Sequence, residues 1–150
     1  MSRKFARGQR CAWPAPFAVD GLSFATAEHY MMWRKAMLFD DGEGARAILA
    51  ASHPRQAKQF GRSIRGFDQR VWDGKRFGIV VDGSVAKFRQ HDELRRFLLT
   101  TGKRVLVEAS PADASPYATN PERWRGLNLL GFALARARDI LRATPAASRD

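Results

Sequence analysis

The chain has 150 residues, 45% hydrophobic and 11% aromatic, enough to bury the core of one domain and too apolar for a disordered chain. One cysteine, Cys11, excludes an internal disulfide and a cysteine-based metal site, and no apolar run reaches membrane-spanning length. The 26 Lys and Arg against 15 Asp and Glu give a formal charge of +11, which attracts polyanions such as nucleic acid, nucleotides or phosphorylated metabolites.

The basic residues are spread through every segment, without zinc-finger spacing, an RNP-like motif or a long basic run. A solvated surface and a phosphate-bearing ligand both account for them. Residues 1–13 form a basic segment without an apolar h-region, so a secretory signal is not expected and a cytoplasmic protein is the plain reading. Pro14 and Pro16 then lead into Phe17–Phe24, where alternating apolar and polar residues about Asp20-Gly21 predict a short hairpin. Thr26 stands where an N-cap belongs, and the following run without Gly or Pro predicts a helix to about Phe39, closed by Asp40-Asp41-Gly42. Glu43–Ala51 reads as a second short helix and Pro54–Phe60 as a third, with Ser52 a candidate cap. Gly61 to Gly66 is a basic loop.

Phe67–Phe88 admits two readings. Val71, Trp72, Lys75 and Ile79 have helical spacing, while Ile79-Val80-Val81 has the look of a buried strand and three glycines weaken a helix. Asp92–Leu99 is an amphipathic helix with Leu94, Phe97 and Leu98 inward, closed by Thr100-Thr101-Gly102. Arg104–Ala109 predicts a strand, Ser110–Pro121 a loop, and Leu127–Leu141 a closing helix; residues 143–150 form a flexible tail.

Glu28 falls in the first turn of the Thr26-capped helix, where the dipole favours an ionised carboxylate, and Lys35 lies two turns on along roughly the same face. This pairing suits catalysis and is equally ordinary helix chemistry. Several further pieces line up in order. They are Ala27-Glu28-His29-Tyr30-Met31-Met32 with Lys35-Ala36; Lys58 with Gly61-Arg62; Gly66-Phe67-Asp68 with Trp72 and Arg76-Phe77; and Ala86-Lys87-Phe88. Leu98 to Gly102, Val107 to Pro111 with Asp113, and Trp124 with Gly126 to Gly131 complete the string. Together, from about Pro14 to Leu141, they resemble the NADAR family, the YbiA-like N-glycosidases.

That resemblance implies a single, mostly helical α+β domain over residues 14–142, with the N-terminal hairpin and a strand near 104–109, and it favours helix for Phe67–Phe88. It implies hydrolysis of an N-glycosidic bond, in phosphorylated ribosylamino-pyrimidines of riboflavin synthesis or in ADP-ribosyl compounds, with no metal and no organic cofactor. Two stretches depart from the family pattern. Arg10-Cys11-Ala12-Trp13-Pro14 stands where a Ser-Asn-Phe-Tyr-Pro-like run is usual, and the link from Ala114 to Arg123 is too short for the family's Trp-Gly-Ile-Gly loop. Both point to altered specificity, a more open pocket or lost activity.

Cleavage passes through an oxocarbenium-like state, so a carboxylate is needed near the ribosyl C1′. Glu28 matches the family's motif glutamate, and its helix-start position suits it to stabiliser, base or nucleophile. Asp113 is the second carboxylate, or else a turn cap. Trp72 would stack on the base or fill the core. Lys35, Arg62 and Lys87 are phosphate candidates, Arg62 foremost because a guanidinium forks onto phosphate. Tyr30 bonds sugar or packs; Asn128 lines the pocket or caps the last helix; Tyr117 is the aromatic available to replace the missing loop tryptophan. His29, beside Glu28, points elsewhere on the helix and reads as structural. A catalytically impaired relative that binds nucleotide or nucleic acid is the alternative.

Overall fold

The computed structural model describes residues 15–103 and 129–144. Strands β1 (Phe17–Val19) and β2 (Leu22–Phe24) pair antiparallel, Phe17 opposite Phe24 and Val19 opposite Leu22. Asp20 and Gly21 take positive φ of 51° and 81°. This left-handed pair matches the twist of a two-residue hairpin turn, and Asp and Gly tolerate it best.

Six helices follow among the described residues: α1 (Ala27–Leu38), α2 (Gly42–Ala50), α3 (Pro54–Gly61), α4 (Gln69–Gln90), α5 (Asp92–Thr100) and α6 (Leu129–Ala143). The mostly helical α+β reading holds, and element ends fall within two residues of expectation where they are described. The strand expected at Arg104–Ala109 and the start of the last helix at Leu127 lie outside the described residues. Among the described residues no helix is long and apolar enough to cross a membrane.

Local side chains start most helices. Thr26 Oγ1 accepts from the His29 amide, Asp41 from that of Gly44, and Asp68 from those of Arg70 and Val71. At α3 the cap is His53, not Ser52: its Nδ1 accepts from the Arg55 amide, and Pro54 occupies the first turn. Ser52 instead bonds Gln56 Oε1 through its amide and hydroxyl.

The Phe67–Phe88 ambiguity resolves as one 22-residue helix. Its buried residues Trp72, Ile79, Gly83 and Lys87 repeat at helical spacing, so burial along one stripe overrides the β-branched run Ile79-Val80-Val81.

α1 lies at the centre, packed on α2, α3 and α4; α4 carries α5 and α6 at its other end. Two apolar clusters follow from this. One gathers Phe17, Phe24, Tyr30, Met32, Ile48 and Trp72 around α1, and the second gathers Phe88, Leu98, Leu134 and Leu141. Close helix approach rests on two glycines. A Cβ at Gly83 would come within 2.5 Å of the Tyr30 ring, and one at Gly61 would collide with Met32 Sδ. The hairpin is tied to the end of α4: Gln90 exchanges two hydrogen bonds with Ala18 (2.7 and 2.8 Å), and His91 Nε2 donates to the Pro16 carbonyl at 2.7 Å.

Candidate functional site

The half-buried Glu28 enters the first turn of α1, whose start is held rigidly. His29 Nε2 donates to the Ala51 carbonyl at 2.9 Å, and Nδ1 shares a 2.8 Å hydrogen bond with the Thr26 hydroxyl. This buried imidazole joins α1 to the end of α2. It fixes the backbone that carries Glu28.

Two turns on, Lys35 reaches the end of α3. Its Nζ donates to the Gly61 carbonyl at 2.7 Å and lies 4.4 Å from the Phe67 ring centroid and 5.4 Å from that of Trp72. Among the described residues no carboxylate lies within ion-pairing distance of Lys35. Burial therefore lowers its pKa below the ordinary lysine value, and the charge of Glu28 partly restores it. Glu28 and Lys35, seven residues apart, thus share one electrostatic environment. Trp72, only 7% exposed, forms its inner wall, while Phe67 keeps 40% of its surface in solvent and meets Phe39 edge-on at 5.4 Å.

Arg62 is exposed and adjoins Gly61, at the end of α3. Its guanidinium has no partner among the described residues. The fold therefore brings Glu28, Lys35, Trp72 and the Arg62 backbone to one side of α1. Tyr30 faces the other way: its ring packs on Phe17 and Phe24, and its hydroxyl takes a 2.5 Å hydrogen bond from Arg34. Burial raises the Tyr30 pKa, with the Arg34 cation opposing. Lys87 is 1% exposed and follows Trp72 by fifteen residues of continuous helix, roughly 22 Å of rise. Asp113, Tyr117 and Asn128 lie outside the described residues.

Two contributors escape sequence reasoning, the Gly61 carbonyl and Phe67. Gly66 was their local signal: its φ of 72° turns the chain so that the next residue comes back onto Lys35. No group of three or more His, Cys, Asp or Glu able to hold a metal occurs among the described residues.

A carboxylate at a helix start, a partly buried lysine and two aromatic rings thus lie together, an arrangement whose chemistry suits a flat, polar, partly anionic ligand. The NADAR domain pattern matches residues 5–142. The chain belongs to the NADAR family.

Among NADAR relatives, N-glycosidase R617 of Acanthamoeba polyphaga mimivirus is 39% identical, the match covering 77% of this chain and 74% of the relative. N-glycosidase YbiA of Escherichia coli strain K12 is 34% identical, over 87% of this chain and 77% of YbiA. The NMR structure of E. coli YbiA superposes with a TM-score of 0.69 at 31% identity, covering 87% of this chain and 74% of that one. The helical NADAR fold with its two-stranded hairpin is thus shared with a solved relative.

Proposed function

We propose that this NADAR protein hydrolyses the N-glycosidic bond of a phosphorylated ribosylamino-pyrimidine, of the kind formed early in riboflavin synthesis, or of a related ADP-ribosyl nucleotide. The enzyme class, a hydrolase acting on N-glycosyl bonds, follows from the family and from relatives named N-glycosidases. The substrate is what the family resemblance implies, and the residue roles are inferences from the site.

The observation that carries the reading is the Glu28–Lys35 pair beside Trp72. Glu28 supplies negative charge where C1′ becomes positive as the C1′–N bond breaks. Water then forms the new C1′–O bond and loses a proton to Glu28 or solvent. The departing base nitrogen needs a proton, and a helix-start carboxylate is poorly suited to give one. Lys35 is better placed. A general acid works best with a pKa near the working pH, and burial moves the Lys35 ammonium in that direction. Phe67 and Trp72 offer faces to the base. Arg62, beside the site and without a side-chain partner among the described residues, would fork onto the phosphate, and Asp113, Tyr117 and Asn128 remain candidates through the family motif and their neighbourhood in sequence.

The test is direct: incubation with ribosylamino-pyrimidine phosphates and, separately, with ADP-ribosylated guanine nucleotides, measuring free sugar phosphate or ADP-ribose. Release from either substrate, abolished in Glu28→Gln, supports the reading. The shortened link from Ala114 to Arg123 and the charge of +11 favour a second reading, a relative that only binds nucleotide or nucleic acid. It predicts saturable binding with no product from either substrate.

A further inference from the structure

Beside Arg34 runs an open groove of about 470 Å³ between α1 and α4. Arg34, Met37 and Leu38 line it from α1, and Lys75, Gly78, Ile79 and Asp82 from α4. Its rim is apolar as well as charged: Met37 is 48% exposed and Val71, one turn before Lys75, 43%. We propose that this groove is a self-association surface that takes α4 of a second copy, running antiparallel about a twofold axis near Gly78.

Charge placement selects a second copy as the occupant. On α4, Val71, Lys75, Gly78 and Asp82 recur at spacings of four, three and four, one exposed stripe of the helix. Lys75 precedes Gly78 by about 4.5 Å of rise and Asp82 follows it by about 6 Å. A twofold axis perpendicular to the helix reverses direction and keeps each flank on its own side. Lys75 of each copy therefore meets Asp82 of the other, giving two equivalent ion pairs, the self-complementary pattern of an isologous contact. Both groups have capacity for this. Among the described residues Lys75 has no carboxylate within ion-pairing distance, and Asp82, 60% exposed at its side chain, accepts from Arg34 alone at 3.5 Å. A uniformly anionic partner such as nucleic acid would meet Asp82 unfavourably.

The glycines agree with this. At Gly61 and Gly83 a Cβ would strike Met32 and Tyr30, so the fold itself requires them. At Gly78, and at Gly74 one turn earlier, a Cβ would meet nothing within 4 Å. Each still weakens an isolated helix relative to Ala, and no contact within the described chain uses the missing side chain. A helix lying across Gly78 would.

Sedimentation velocity over a wide concentration range at roughly physiological salt tests the proposal, with circular dichroism confirming the fold of every variant. The expected result is a reversible monomer–dimer equilibrium in the unaltered protein. Lys75→Asp and Asp82→Lys should each weaken it at least tenfold, and the double variant should restore it to within about threefold. Gly78→Leu should weaken it as strongly without touching a charge. Hydrolysis should be unchanged in Lys75→Asp, which lies outside the site. A protein that stays monomeric at every concentration overturns the inference, whatever else the groove binds. So does a dimer insensitive to both single reversals, or a double variant no better than either one.

Discussion

Arg34 and Lys35 are neighbours in sequence on different faces of α1, about 100° apart, and each lies beside an aromatic ring. Arg34 stands 5.6 Å from the Tyr30 ring centroid, bonds the Tyr30 hydroxyl and reaches Asp82 at the surface. Lys35 lies beside Phe67 and Trp72, bonds a backbone carbonyl, and among the described residues has only the more distant charge of Glu28 for company. Arg34 is a solved electrostatic problem. Lys35 is an unsolved one, a partly desolvated cation with no paired anion among the described residues, where a ligand or a reaction can supply the missing partner.

The sharpest way to break this contrast is at Glu28. Glu28→Gln should fold normally and lose at least a hundredfold in kcat, about 3 kcal/mol of barrier, because the charge opposite C1′ disappears. Near-wild-type turnover in a steady-state assay would remove Glu28 from the chemistry. Next is Lys35→Arg, which keeps the charge and discards the titration. As a general acid Lys35 must be protonated, so activity should fall as pH rises through its lowered pKa, well before an ordinary lysine titrates. The arginine variant should lose about a hundredfold in kcat, and that basic limb should vanish from any residual activity. Full activity in the variant would instead make Lys35 a phosphate-binding cation. The same exchange on the neighbouring face, Arg34→Lys, should leave kcat unchanged and alter stability by about 1 kcal/mol or less, since the pair it disturbs is at the surface.

How much of this contrast sequence could reveal follows from range. The hairpin about Asp20-Gly21, the Thr26 cap and the Glu28–Lys35 spacing are local, and all were legible. So was the helical stripe of Trp72 and Ile79, though the β-branched run through Val81 disguised it until burial on α1 decided between the two periods. The surroundings of Lys35 were not legible, because Gly61, Phe67 and Trp72 arrive from 26 to 37 positions away in the chain through two helix packings. Tyr30, two residues from Glu28, had two open readings. The approach of Gly83, more than fifty residues on, joins Phe17 and Phe24 in fixing its ring in the core.

That packing gives a fourth test, on stability alone. Gly83→Ala pushes a methyl into the Tyr30 ring and should destabilise the fold by about 1–3 kcal/mol in chemical denaturation. At temperatures where the variant remains folded, its kcat should match the parent, because the strain falls on the Arg34 side of α1. A large loss of turnover without loss of stability would mean that the two sides are coupled.

The smallest expected effect sharpens the comparison from the Lys35 side. Asp41 accepts from the Gly44 amide at 2.9 Å and from the Arg65 amide at 3.0 Å, so one carboxylate caps α2 and also holds the loop that presents Phe67 to Lys35. The Arg65 amide, then that of Gly44, lowers the Asp41 pKa below the ordinary carboxylate value. A carboxyl lowered by folding stabilises at pH values above its unfolded pKa, and that contribution is lost as pH falls through its folded one. The parent should therefore lose stability on the acid side of the ordinary aspartate range, and Asp41→Asn, which does not titrate, should lose less there. The asparagine oxygen can still serve one amide, but its NH₂ group would face the other donor. Phe67 should then sit less firmly over Lys35, and the basic limb of the pH–rate profile should move slightly as the lysine's enclosure loosens. Thermal melts between pH 2 and 7, with pH–rate profiles of both proteins, measure the two shifts. A limb that does not move in Asp41→Asn would show that the loop keeps Phe67 in place without its carboxylate anchor.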